Sequence, residues 1–238
     1  QYHDGGLIMM HLAPVCAGVH MVYMSPLSFL HTPELWMLSM ARYDAQFTFA
    51  PDFGYKLAIK RATHTIAALQ QEQLTLSSIV CCMTGAERVR PATCAQFCNT
   101  FRSECKFDGE FFAAYGMAES VVFISSMTLA LTPQKLLVSS VRPDLACVGK
   151  ESVNVVIKIV DSQTRKEVES GTVGEIWTCS GSVCAGYWGK PELSEEVFRA
   201  RLEPDDGETY LRTGDEGYFD KGTTELYVCG RLKDLIIV

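Results

Sequence analysis

Tyr210-Leu211-Arg212-Thr213-Gly214-Asp215-Glu216-Gly217, followed by Gly230-Arg231-Leu232-Lys233-Asp234-Leu235-Ile236-Ile237, decides how this chain is read. Two charged, glycine-punctuated loops flank a short β pattern at residues 225–229. A carboxylate at the end of a strand can accept hydrogen bonds from two neighbouring hydroxyls at once, a bidentate task suited to Asp215. Arg231 brings a rigid fork of donors to the same neighbourhood. Taken separately, a Thr-Gly-Asp turn and a surface Arg would be unremarkable.

Upstream, the periodicity alternates between helix and strand. Thr32-Pro33-Glu34 opens a helix that runs to Arg42, with an N-cap residue type, a proline suited to the first turn and an acid that complements the dipole. Residues 45–50 read as a strand, 51–61 as a helix, 77–83 as a buried strand, 91–104 as a helix with Phe97 and Phe101 four apart, and 111–115 as a strand. Such alternation predicts an α/β fold with a mainly parallel sheet. After about Val153 the pattern becomes short strands with Gly-rich turns: Val155, Ile157 and Ile159 alternate, and residues 174–179 and 225–229 follow. The expected fold is thus a parallel-sheet α/β subdomain, residues 1–152, followed by a smaller, mostly antiparallel β subdomain, residues 153–238.

The bulk properties narrow the function. A chain of 238 residues with 47% hydrophobic and 21% charged residues is long enough for a large core. A formal net charge of −7 argues against a general nucleic-acid binder, which needs a basic face. Residues 5–24 carry no Asp, Glu, Lys or Arg, but His11, Pro14, Ala17-Gly18 and His20 interrupt them. They read as a helix followed by a strand rather than a membrane span. No basic segment leads into an apolar run at the start, so no signal peptide is expected. The ten cysteines include no Cys-x-x-Cys and sit mostly in apolar or periodic runs, where thiols act as small hydrophobes. That usage reads as a reducing, cytoplasmic setting rather than a disulfide framework or a zinc site.

Two strand ends look like ligand turns. Gly85, Ala86 and Glu87 follow one strand, where small residues leave the backbone open; an ordinary strand-to-helix turn is the other reading. Tyr115, Gly116, Met117, Ala118 and Glu119 follow the next strand. An aromatic and a carboxylate there could stack a purine and ligate Mg²⁺, or be merely a buried Tyr and a solvated Glu. Two successive strands ending this way is what the crevice rule of α/β sheets expects. Near the start, Tyr2-His3-Asp4-Gly5-Gly6-Leu7 opens a helix, with Asp4 at its N-terminus.

Together with Gly174-Glu175-Ile176-Trp177 and Gly186-Tyr187-Trp188, read as structural, these motifs stand in an order that resembles the adenylate-forming superfamily of acyl-CoA synthetases, luciferases and adenylation domains. The His3-Asp4 pair, Pro51-Asp52-Phe53-Gly54-Tyr55, Ala118 and Gly230-Arg231-Leu232-Lys233-Asp234 make the chain most similar to fatty acyl-AMP ligases. The resemblance implies ATP- and Mg²⁺-dependent activation of a fatty acid to acyl-adenylate, with transfer to an acyl carrier protein. It implies that Tyr115 and residues 85–87 hold adenine, with residues 116–118 also at the nucleotide. Asp215 and Arg231 would hold ribose, Glu119 would ligate Mg²⁺, and His3 would lie near the acyl carboxylate. Lys233 would be the hinge, and the long spacer at residues 120–173 would restrain it. An acyl-CoA synthetase and a non-catalytic adenylate-fold binding module are the alternatives.

The chain departs from the family pattern at Gly5, usually Met, and at Asp52, usually Asn, which adds a negative charge. It shows neither the Ser/Thr/Gly-rich phosphate loop with its Lys nor the C-terminal domain with its adenylation Lys. The expectation is a central piece of a larger enzyme, inactive alone.

Overall fold

The computed structural model describes residues 3–127 and 136–233. Tyr2 and residues 234–237 of the two terminal motifs, and part of the spacer, lie outside the described residues. The fold has a mixed parallel and antiparallel sheet with helices, and a separate antiparallel sheet. The chain divides into two compact units. One unit comprises Pro14–Ala113 and Leu129–Ala146; the other is built from three segments, Gln1–Ala13, Ala114–Thr128 and Cys147–Val238.

The first unit is helical around a short parallel ladder. It carries α1 (Ala13–Ala17), α2 (Pro26–His31), α3 (Glu34–Arg42), β1 (Phe47–Phe49), α4 (Asp52–Lys60), α5 (Ala62–Gln71), β2 (Cys81–Thr84), α6 (Pro91–Cys105) and the first four residues of β3 (Glu110–Tyr115). β1 pairs with β2 and β2 with β3, all parallel, with Thr48 opposite Cys82 and Met83 opposite Phe112. In α6, Pro91 occupies the first turn, where its missing N–H costs nothing. Cys94, Phe97, Phe101 and Cys105 then recur at helical spacing and form the buried face. Phe97 is the centre of the core: its ring lies 4.8–5.7 Å, centroid to centroid, from Phe101, Tyr55, Phe107 and Phe111. The buried Tyr55 hydroxyl donates to the Met83 carbonyl at 2.8 Å, which fixes α4 against β2.

Three local expectations are corrected. No strand follows the first helix: a wide-turned helix (Gly5–Leu12) continues into α1, which stops at Gly18 (φ +67°). The next element is α2, with Pro26 at its first position. No helix among the described residues is long and apolar enough to cross a membrane. β2 begins at Cys81, not at Ser77, because Leu76 N–H bonds to the Cys105 carbonyl and Ile79 N–H turns back on Leu76. Residues 211–217 are not a loop but the body of β8 (Leu211–Phe219).

In the three-segment unit, the last two residues of β3 pair antiparallel with β4 (Ser125–Ser126), and β4 with β5 (Lys150–Glu151). A second sheet follows in the order β6 (Val155–Val160), β7 (Gly174–Ser180), β8, β9 (Leu226–Arg231), antiparallel throughout, with α7 (Pro191–Phe198) between β7 and β8. Trp177, fully buried, packs with Val160, Ala200, Leu202 and Tyr210 on one side of this sheet. Four of the ten cysteines, Cys82, Cys94, Cys105 and Cys147, are buried.

Phe97→Ala should cost about 3–5 kcal/mol, because it empties a site in contact with four other rings. Urea unfolding followed by far-UV circular dichroism measures it. A loss below about 1 kcal/mol would mean that the aromatic cluster is not the core of this unit.

Candidate nucleotide site

The site is set by where β3 and β8 run out of regular pairing. β8 is not uniform: its register against β7 shifts between Glu175 and Trp177, and against β9 between Glu216 and Gly217. Gly214, at φ +71°, supplies the left-handed backbone that such an irregularity requires and that a side chain would strain. The Thr213 hydroxyl donates to the Ile176 carbonyl (2.7 Å) and accepts the Asp215 N–H (3.0 Å). Buried Glu175 accepts two hydrogen bonds from Arg212 at its Oε2 (2.9 and 3.1 Å), while its Oε1 faces the Gly214 N–H at 3.3 Å. The Arg212 guanidinium also lies 5.6 Å from the centroid of the Trp177 ring.

This scaffold presents the Asp215 carboxylate, which is 7% exposed. Tyr115, at the end of β3, donates its hydroxyl to Oδ2 at 2.7 Å. Arg231, opposite Asp215 in the β8–β9 ladder, approaches Oδ1 with Nε at 3.2 Å. Burial, then the adjacent Asp215 charge, holds the Tyr115 hydroxyl well above the usual tyrosine range, so it remains a donor. The structure thus brings together Tyr115, Asp215 and Arg231, which are separated by up to 116 residues in sequence.

After Tyr115 the chain doubles back. Ile124 N–H bonds to the Tyr115 carbonyl, and the Val122 carbonyl comes so close to Gly116 that any Cβ there would collide with it. Met117 leads into a single helical turn (Ala118–Ser120) closed by Val121, a β-branched residue at φ +65° and so a strained position beside the site. Glu119 sits in that turn with Oε1 accepting the Tyr187 hydroxyl at 2.7 Å. Tyr187 was read from sequence as structural only; its aim at a carboxylate 68 residues away has no sequence signal.

The other candidates are placed as follows. His3 is mostly exposed and its ring lies against Asp4, whose carboxylate accepts the Gly5 N–H at 2.7 Å at the helix start. Lys233 is exposed in the turn after β9. In the helical unit, residues 85–87 form the turn after β2, with Ala86 at φ +64°. The Glu87 side chain accepts the Phe53 N–H at 2.7 Å and so caps the start of α4. The extra charge at Asp52 is compensated rather than left bare. Asp52 is 2% exposed and pairs with Lys56 (2.7 Å) and Arg90 (2.9 Å).

Residues 1–188 match the family model described as AMP-binding enzyme. The chain belongs to this family. Among its relatives, the 4-hydroxyphenylalkanoate adenylyltransferase of Mycobacterium tuberculosis is 35% identical over all of the chain, which spans 40% of that protein. A long-chain-fatty-acid–AMP ligase of Mycobacterium marinum is also 35% identical, and the chain spans 43% of it. A crystal structure of the fatty acyl-adenylate ligase from L. pneumophila, in complex with acyl adenylate and pyrophosphate, superposes with a TM-score of 0.86 at 35% identity. That match covers 99% of this chain and 43% of that one. The chain therefore spans about two fifths of the length of the relatives it matches.

Burial alone would raise the Asp52 carboxyl, but hydrogen bonds from Lys56, Thr93 and Arg90 outweigh it and hold it below the usual carboxylate value. A depressed value adds stability above the unfolded carboxyl's pKa, and that stability is lost as pH falls through the folded one. Asp52→Asn should therefore flatten the loss of stability below about pH 4, while lowering stability at neutral pH. Urea midpoints across the acid range measure both; an unchanged acid slope would show that Asp52 is not ionised against its partners.

Proposed function

We propose that this chain forms the nucleotide- and metal-holding portion of an enzyme that joins a fatty acid to AMP. The observation that carries the reading is the buried Asp215 carboxylate held between the Tyr115 hydroxyl and Arg231. Each carboxylate oxygen has more than one acceptor direction, so Asp215 can keep these donors and still accept the two ribose hydroxyls. The Tyr115 ring is then an adenine face, and the backbone of Gly116, Met117 and Ala118 lines the approach to the α-phosphate. The resemblance puts His3 beside the acyl carboxylate and makes Lys233 the hinge. For residues 85–87 the adenine role rests on the resemblance alone. The L. pneumophila structure, which contains acyl adenylate and pyrophosphate, supports the assignment of reaction class.

In the reaction, a carboxylate oxygen attacks the α-phosphorus of ATP. An acyl–oxygen–phosphorus link forms, the bond to the β-phosphate oxygen breaks, and pyrophosphate departs with the electron pair. A bound Mg²⁺ supplies charge neutralisation on the phosphate oxygens. The donor set fits such an ion. Among the described residues no group of three His, Cys, Asp or Glu side chains could cage a metal. Mg²⁺ characteristically takes one or two carboxylates and completes its shell with nucleotide phosphates and water. Glu119, with Oε1 engaged by Tyr187, offers that single carboxylate.

The relatives extend well beyond the matched length, and we propose that flanking parts of the gene product supply the phosphate-gripping loop and the C-terminal lysine. Residues 1–238 alone should then give no acid-dependent ATP–pyrophosphate exchange, and the full-length protein should give it. In that protein Asp215→Ala should weaken ATP use by about 2–4 kcal/mol, the cost of a charge-assisted pair. If mutant and wild type discriminate equally between ATP and 2′,3′-dideoxy-ATP, Asp215 does not hold the ribose.

For the acceptor we propose a carrier-protein thiol, supported by the likeness to fatty acyl-AMP ligases. Radiolabelled fatty acid with ATP and CoA should accumulate acyl-AMP and little acyl-CoA. Efficient acyl-CoA formation would replace this assignment with an acyl-CoA synthetase.

A further inference from the structure

The Gly186-Tyr187-Trp188 turn, assigned to architecture by its sequence, reaches the candidate metal ligand. The loop at residues 180–187 embraces the Ala118–Ser120 turn at several points. Cys184 N–H donates to the Glu119 carbonyl at 2.8 Å, the Cys184 thiol lies 3.7 Å from the Ala118 carbonyl, and the Ser182 and Ser120 hydroxyls are 3.2 Å apart. These contacts fix the backbone that carries Glu119. Among the described residues, the Glu119 side chain takes a hydrogen bond from the Tyr187 hydroxyl.

Tyr187 is itself held firmly. Its N–H donates to Ser194 Oγ at 2.8 Å, and Ser194 Oγ donates to the Lys190 carbonyl at 2.7 Å, so the first turn of α7 clamps the tyrosine backbone. The Phe198 ring, one turn further along α7, meets the Tyr187 ring edge-on at 5.0 Å. A half-buried tyrosine fixed at its backbone, ring and hydroxyl is more than a space filler.

We propose that Tyr187 is a positioning residue for metal binding: its hydroxyl holds Glu119 Oε1 so that the remaining oxygen faces the cation. The inference rests on the reading of Glu119 as the Mg²⁺ ligand. Partners of this kind fix the rotamer of a ligating carboxylate, and a neutral donor does so without cancelling the charge the cation needs.

The test uses the full-length protein with ATP and Mn²⁺ as the probe cation, free Mn²⁺ being read by electron paramagnetic resonance. Tyr187→Phe should weaken Mn²⁺ about 10- to 100-fold in the ATP complex and leave metal-free ATP affinity within about twofold. The Mg²⁺ concentration for half-maximal pyrophosphate exchange should rise in parallel, with the rate recovering at saturating Mg²⁺. Glu119→Gln is the reference and should weaken Mn²⁺ at least as much. If Glu119→Gln weakens Mn²⁺ and Tyr187→Phe does not, the positioning role is overturned and the metal assignment stands. If Glu119→Gln has no effect, the metal assignment falls and the positioning role falls with it. Should Tyr187→Phe lose its cooperative thermal transition, Ser194→Ala takes its place, since it loosens the tyrosine and keeps the hydroxyl. It should weaken Mn²⁺ about threefold or more, and an unchanged affinity would overturn the proposal.

Discussion

The buried pair between Glu175 and Arg212 is the constraint on which the candidate site depends. Glu175 sits on β7 where the ladder to β8 slips register, and its carboxylate replaces part of the lost backbone pairing by facing Gly214 N–H and gripping Arg212. Removing either partner of such a pair leaves a charge stranded in the interior, at a cost of about 3–5 kcal/mol. The bulge that results turns Asp215 toward Tyr115 and Arg231. A regular β8 would follow simple alternation, and a one-residue slip would send Asp215 to the opposite face.

The carboxylates of this protein divide by their donors. Asp52 is met by Lys56 and Arg90, which cancel its charge and make it an internal fastening. Glu119 is met by a phenol, which orients it and leaves its charge in place. Asp215 accepts from donors of both kinds, the Tyr115 phenol at one oxygen and the largely exposed Arg231 at the other. A neutral donor preserves attraction for a cation; a guanidinium competes with one.

Much of the fold was legible because periodicity and capping act over a few residues. The helix after Pro33, the buried stripe of α6 and the alternation of β6 follow from nearest neighbours. The candidate turn at residues 115–119 was visible as an aromatic, a glycine and a carboxylate after a strand. What local patterns hide is partnership. The Glu175–Arg212 pair spans 37 residues and the Tyr187–Glu119 bond spans 68, and neither residue announces the other. β8 looked like a charged loop because glycines and charges usually mark turns; here they mark two register shifts inside a strand. The run at residues 19–24 misled for a different reason, since its lack of charge suits a buried strand as well as the irregular backbone it adopts.

The three-segment unit is interrupted between Ala13 and Ala114, and this governs the order in which a growing chain can acquire structure. The helical unit has all of its residues once position 146 has been synthesised. The other unit then still lacks Asp215 and Arg231, so the partners of Tyr115 emerge from the ribosome about a hundred residues after it. During that interval Tyr115 has no carboxylate to donate to, and the strand that ends with it is without its finished environment. Closing so long a loop costs little more than closing one half its length, about 0.6 kcal/mol, so the delay is set by translation rather than by entropy. Tyr115, Asp215 and Arg231 therefore come together only after the β8–β9 hairpin is made.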